Sequence, residues 1–149
     1  MAQLVANSFT HLHPILNHFP IALFVMSIGL DLLAFWRAEL RQSAWLALLI
    51  GALLAIPTFV TGTIAHFPYE NSPAIDAIEA HQKWGLLTTL LLLVLLGWRA
   101  WSRRRGKDAG GTLPYLLVGI VTLGLLTVAG MTGGDLVYQL GVGVSTIVK

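Results

Sequence analysis

The sequence predicts an all-α integral membrane protein, folded as an antiparallel up-down bundle of four transmembrane helices. Of its 149 residues, 56% are hydrophobic and only 11% are charged, whereas a typical soluble domain has roughly 25% charged residues. Charged residues are absent from four long stretches, residues 1–30, 42–69, 84–98 and 109–134. Such stretches cannot form a water-exposed surface. The predicted surroundings of most of the chain are therefore the lipid bilayer.

The four spans follow from the length that a membrane-crossing helix needs, about 20 mostly apolar residues. The segments that qualify are about 14–36, 43–66, 80–101 and 113–133. Pro14 and Pro114 stand where proline is favoured, in the first turn of a helix. Residues 134–149 are too short to span and are predicted to lie along the outer surface. Residues 1–149 are thus predicted to form a single transmembrane domain.

The distribution of Lys and Arg predicts how the bundle is oriented, because these residues concentrate on the cytoplasmic side of membrane proteins. The connections after the first and third spans hold seven of them, and the opposite side holds only Lys83 and Lys149. Both ends of the chain are therefore predicted to lie on the outer side. The net charge of +2 is too small to indicate a nucleic-acid partner.

Five histidines dominate the chemistry that the chain can perform. Cysteine is absent, which excludes disulfides, iron–sulfur clusters, thiolate metal sites and covalently attached c-type haem. Every histidine falls at the outer end of a predicted helix or just outside it. They are His11, His13, His18, His66 and His81.

A haem held by two of these histidines is the leading hypothesis for the site. Adjacent helices in a bundle lie about 8–10 Å apart, and diagonal helices about 13–14 Å apart. Only the diagonal separation leaves room for two imidazoles with an iron between them, and the first and third helices are diagonal. The predicted axial pair is therefore His18 and His81, whereas His66 is expected to face the fourth helix.

A small residue lies one helical turn deeper than each of these three histidines. These residues are Ala22 below His18, Gly62 below His66 and Gly85 below His81, and they are predicted to leave clearance for the edge of a macrocycle. Ordinary close packing of membrane helices is the alternative, because small residues are common at such interfaces. The sequence shows no convincing internal repeat.

Two other interpretations of the histidines stay open. His18, His81, His66 and His13 could bind a zinc or copper ion, since imidazole is a ligand for both. The histidines could also be hydrogen-bonding groups of a structural subunit that carries no cofactor. Asp31, inside the first span, is interpreted as a structural ion-pair partner of Arg37 or Arg99.

Three motifs resemble those of a bacterial family of small predicted four-helix membrane proteins that is catalogued as a domain of unknown function. The motifs are HPILNHFPIAL at residues 13–23, His81-x-x-x-Gly85, and GDLVYQLGVGV at residues 134–144. The third motif departs at Gln139-Leu140, where a basic residue followed by histidine is expected, so one outer-side ligand is missing here. The resemblance implies the four-helix fold and membrane location, and the family's histidine pattern is similar to that of b-type cytochrome subunits.

The sequence therefore predicts a b-type cytochrome-like subunit of the bacterial inner membrane, with both termini in the periplasm. It would bind haem b and exchange electrons with quinone or with a periplasmic or membrane redox partner. No substrate pocket or catalytic motif is evident, so an electron-transfer subunit is favoured over a complete enzyme. The alternatives are a histidine-lined metal-ion binding or transport protein and a cofactor-free structural subunit.

Overall fold

The computed structural model describes the backbone of residues 2–144 and the side chains of residues 12–144. Within this part of the chain, all regular structure is helical, and the four expected helices are present. They are α1 (Ala2–Leu33), α2 (Leu40–His66), α3 (Ile75–Arg104) and α4 (Leu113–Tyr138), with a short 3₁₀ turn at Phe67–Tyr69 after α2.

The helices extend beyond the spans expected from hydropathy. Helix α1 runs through Pro14 instead of beginning there. Helix α3 continues to Arg104, so Arg99 lies inside a helix and not in a connection. It ends before Gly106, whose φ of +73° suits the left-handed conformation that terminates many helices. Helix α4 covers the start of the expected outer tail and ends at Tyr138.

The helices associate as two hairpins, α1 with α2 and α3 with α4. Helix α1 packs most extensively against α2, α3 packs against α4, and α1 barely approaches α4. Helices α1 and α3 are diagonal, as expected. A compact core fills the half of the bundle near the α1–α2 and α3–α4 connections, where Phe24, Leu48, Leu95 and Tyr115 are fully buried. The opposite half contains a cavity.

Buried ion pairs close the end of the bundle away from the cavity. The guanidinium of Arg99 and the carboxylate of Asp31 are fully buried, and they form a two-pronged pair at 2.6 and 2.9 Å. Arg99 Nε also donates to Asp108 at 2.9 Å, and Arg41 donates to Asp31 at 3.1 Å. The structural interpretation of Asp31 is confirmed with Arg99 as its partner, whereas Arg37 is exposed.

Asp108 belongs to the connection between α3 and α4. Burial by itself raises the pKa of its carboxyl group, but hydrogen bonds from Arg99, the Gly110 N–H and Arg103 outweigh burial and hold this pKa below its ordinary value. Asp108 is therefore a charged link between the connection and the end of α3.

The outer surface of the bundle is apolar along the middle of each helix. All four helices are long and apolar enough to cross a membrane, and large hydrophobic side chains stand exposed on each of them, including Val25, Ile50, Val94 and Ile120. An apolar surface this extensive needs an apolar surrounding. The chain is a multi-pass membrane protein whose surface contacts the lipid bilayer.

Candidate functional site

A cavity of about 450 Å³ lies between the two hairpins. It is at the end of the bundle that is formed by the first halves of α1 and α3 and the last halves of α2 and α4. Its size falls within the range of roughly 300–1,000 Å³ that is typical of small-molecule sites. All four helices contribute to its wall. The four histidines whose side chains are described line it, namely His13, His18, His66 and His81.

His13, on α1, is held by α2. Its Nδ1 lies 2.9 Å from the carbonyl oxygen of Thr58. Because a carbonyl oxygen can only accept, Nδ1 carries the hydrogen. The ring lies against Gly62, where an added Cβ would be 2.8 Å from the Cε1 atom of His13. The glycine thus makes the room that this imidazole occupies.

His81, on α3, is held by α4 in the same way. Its Nδ1 donates to the carbonyl oxygen of Ala129 at 3.0 Å and lies 3.1 Å from the hydroxyl of Thr132. Its ring lies against Gly133, where a Cβ would come within 2.9 Å of Cε1. The proton is again fixed on Nδ1.

The two arrangements are an internal repeat that the sequence interpretation missed. In each hairpin, a histidine on the first helix donates to a carbonyl on the second. A threonine three residues later donates to the same carbonyl, Thr61 to Thr58 at 2.9 Å and Thr132 to Ala129 at 3.0 Å. A glycine follows directly and contacts the histidine ring. We call each such set of histidine, carbonyl, threonine and glycine a histidine cradle.

The two cradles bring their imidazoles close together across the gap between the hairpins. The ring centroids of His13 and His81 are 6.3 Å apart, with an angle of 74° between the ring planes. Among the side chains of residues 12–144, neither Nε2 atom has a hydrogen-bond partner. Metal–nitrogen bonds of about 2 Å place the centroids of two trans imidazoles roughly 6 to 6.5 Å apart. The observed centroid separation lies within this range.

The imidazole close to His81 in the structure is that of His13, whereas the sequence predicts His18 as the second ligand. His18 also lines the cavity, but its side chain is exposed. Because α1 begins before Pro14, His13 is a helical residue on the face that carries Pro20 and Phe24, both buried. The spacing of these three residues, seven and then four positions, is the sequence signal that could have identified it. A ligand role for His18 stays a prediction.

The small residues expected below the histidines lie in three different environments. Gly85 lines the cavity, and a Cβ there would meet nothing within 4 Å. Gly62 instead accommodates the His13 ring. Ala22 is exposed and is not part of the cavity wall. Gly130 also lines the cavity, with open space beside it, as Gly85 does.

His66 faces α3, whereas the sequence predicts that it faces α4. Its Nδ1 lies 3.0 Å from Oε1 of Gln82, and its Nε2 is buried without a hydrogen-bond partner. His11 is a residue of α1 whose side chain is outside the described part of the chain. Among the described residues, no three histidine, aspartate or glutamate side chains are grouped as a bare metal ion requires.

Comparison with known proteins identifies a family. No curated protein and no solved structure matches the chain. The family model described as a predicted membrane protein, DUF2231, matches residues 10–146, which is nearly the whole chain. The match agrees with the four apolar helices and confirms the resemblance inferred from the motifs. The chain belongs to the DUF2231 family of predicted membrane proteins.

Proposed function

We propose that the protein binds haem b in the cavity between its two hairpins, with His13 and His81 as the axial ligands. The single observation that carries this proposal is the pair of histidine cradles, whose rings lie with centroids 6.3 Å apart and ring planes at 74°. Each cradle fixes the tautomer that leaves Nε2 as the metal-binding atom, and a metal-bound histidine usually donates its other N–H to such a carbonyl.

Two such imidazoles fit the two axial positions of a haem iron better than the closed tetrahedral shell that zinc prefers. The remaining wall of the cavity suits a flat macrocycle, since Gly85 and Gly130 leave open space beside it. Haem supplies one-electron redox chemistry when bound. The chain supplies the two ligands, their orientation and an apolar surrounding.

Electron transfer at the outer face of the bacterial inner membrane is the activity that we assign to this site. The cavity lies at the end of the bundle opposite the arginine-rich connections, and arginine-rich connections are typical of the cytoplasmic side. The haem would thus exchange electrons with a periplasmic or membrane partner or with quinone. An electron-transfer subunit is favoured over a complete enzyme.

A zinc or copper ion is the second candidate, because His18 and His66 line the same cavity as the cradle histidines. The optical spectrum of the purified protein, combined with metal analysis, separates the two candidates. Haem b with two histidine ligands gives sharp α and Soret bands after reduction with dithionite. Stoichiometric zinc or copper without these bands would contradict the haem proposal. Absence of both metal and haem from the purified protein would contradict both candidates and favour a cofactor-free structural subunit.

A further inference from the structure

The outer mouth of the cavity holds a polar group that the two cradles do not use, the imidazole of His66. A chain of hydrogen bonds fixes its tautomer. Thr63 Oγ1 donates to the Phe59 carbonyl at 3.1 Å, so this hydroxyl oxygen accepts from Nε2 of Gln82, also at 3.1 Å. The amide oxygen of Gln82 therefore faces His66, and Nδ1 of His66 donates to it at 3.0 Å.

The other ring nitrogen of His66 points to a ligand. Nε2 is buried and has no hydrogen-bond partner among the described residues, although His66 lines the cavity. A buried polar atom without a partner is costly, and most such atoms in proteins are paired. An imidazole that donates from Nδ1 has a lone pair at Nε2. This atom can share the proton of a ligand's carboxyl group and so form a charge-assisted hydrogen bond with it.

Tyr69 adds a donor at the same mouth. Its hydroxyl oxygen accepts the N–H of Gly143 at 3.0 Å. No acceptor among the described residues takes the hydroxyl hydrogen, and Tyr69 lines the cavity beside His66. These two groups next to one apolar cavity suit a ligand that carries a carboxylate at its edge.

The two hairpins differ at the mouth of the cavity, because only the first hairpin has a histidine there. His66 lies four residues after the cradle glycine Gly62, and the equivalent position after Gly133 is Val137. The two cradles can thus bind the centre of a ligand from both sides. Only the first hairpin has an imidazole that can bind the edge of that ligand. Haem matches this arrangement, because its metal centre is bound from both sides and its only charged peripheral groups are two carboxylates at one edge.

We infer that His66 and Tyr69 form a carboxylate subsite, which binds a propionate of the haem and fixes which edge of the macrocycle faces the outer side. This inference rests on the proposed function. Gln82 is a positioning residue here, since its amide is engaged by His66 and Thr63 and so orients His66.

The test compares haem b with its dimethyl ester, in which both carboxylates are blocked. The dissociation constant of each is measured from the Soret band during reconstitution of the haem-free full-length protein. We expect haem b to bind at least about tenfold more tightly than the ester, the value of one charge-assisted hydrogen bond. His66→Leu should weaken binding of haem b to the level of the ester and leave the ester unchanged.

Two control variants keep the outcome specific. His66→Gln retains a donor and should preserve part of the discrimination. Val137→Leu, at the equivalent position of the second hairpin, also alters the cavity wall and should leave the ratio of the two constants unchanged. Equal binding of haem b and ester by the unmodified protein, or an equal loss of both in His66→Leu, would overturn the subsite while the haem proposal stands. Failure of the unmodified protein to bind either compound would overturn the haem proposal itself.

Discussion

At the scale of single residues, the cavity depends on two glycines that admit the imidazole rings. A Cβ at Gly62 or Gly133 would lie 2.8 or 2.9 Å from the Cε1 atom of the neighbouring histidine, a distance at which one of the two groups must move. The histidine is also tied to a carbonyl of the same helix as the glycine. The ring therefore has little freedom to yield, and the glycine is a condition for its position.

Replacing Gly133 by alanine tests this condition. Gly133→Ala should displace His81 from the Ala129 carbonyl, lower the haem content and destabilise the bundle by about 1–3 kcal/mol, which is the usual cost of overpacking. The control is Gly124→Ala on the same helix, where a Cβ meets nothing within 4 Å and which is exposed; it should be neutral or slightly stabilising, because alanine favours helix. Soret absorbance and thermal unfolding in detergent measure both effects. Equal behaviour of the two variants would contradict the cradle.

At the scale of helices, the two hairpins are joined by a charge pair at equivalent positions. Asp31 lies eighteen residues after His13, and Arg99 lies eighteen residues after His81. Two identical hairpins would place like charges together at this point, whereas the two different hairpins of this chain place opposite charges in contact at 2.6 Å. The pair therefore favours association of the first hairpin with the second over association of either with a copy of itself.

Removal of Arg99 should be strongly destabilising. Arg99→Met would leave the fully buried Asp31 with only the partly exposed Arg41 as a partner, and breaking a buried pair from one side costs roughly 3–5 kcal/mol. The matched control is Arg104→Met, an exposed arginine of the same helix, which should change stability by less than about 0.5 kcal/mol. Unfolding in detergent measures the difference. A change in Arg99→Met as small as that of the control would show that the pair contributes little.

The lowered pKa of Asp108 predicts how the stability of the protein changes at acid pH. Its pKa is lower in the folded protein than the ordinary value of 3.8. Its contribution to the free energy of unfolding is therefore complete above that value and is lost as the pH falls through the lower folded pKa. Unfolding measured between neutral pH and pH about 3 should show this loss. The loss should be smaller in Asp108→Asn, and an identical acid dependence of the two proteins would contradict the assignment.

Sequence and structure agree best where hydropathy alone decides the outcome. The lengths of the apolar segments predict the four helices but not where the helices end. Arg99 shows why, since it is buried in an ion pair inside α3, whereas hydropathy predicts that a charged residue lies outside the span. The sequence places His13 outside the first helix, because Pro14 predicts the start of that helix, whereas α1 begins at Ala2. The internal repeat is not evident in the sequence, because one shared element is a backbone carbonyl and the only shared side chains are one histidine and one Thr-Gly pair in each hairpin.

At the scale of the whole molecule, the two polar sites lie at opposite ends of the bundle. The eighteen residues between His81 and Arg99 correspond to about 27 Å along a helix, close to the roughly 30 Å thickness of the hydrocarbon core. One end is a histidine-lined cavity and the other a closed cluster of ion pairs. On the proposed orientation, electrons enter and leave near the periplasmic surface.

Cysteine labelling tests that orientation. Ser72→Cys, in the connection between α2 and α3, should react with a membrane-impermeant thiol reagent added from the periplasmic side of the membrane. Lys107→Cys, in the exposed connection between α3 and α4, should react only after the membrane is opened. The protein has no native cysteine, so each signal reports a single site. Labelling of both positions from the same side would contradict four spans, and the reverse result would invert the orientation.

The most direct test of the central claim is the optical spectrum of three histidine variants after reduction with dithionite. If His13 and His81 are the axial pair, His13→Ala and His81→Ala should each lose the six-coordinate low-spin spectrum, because that state needs both imidazoles. His18→Ala, which removes a histidine that lines the same cavity, should keep the low-spin spectrum. A low-spin spectrum that survives in His13→Ala but is lost in His18→Ala would contradict the pairing of His13 with His81.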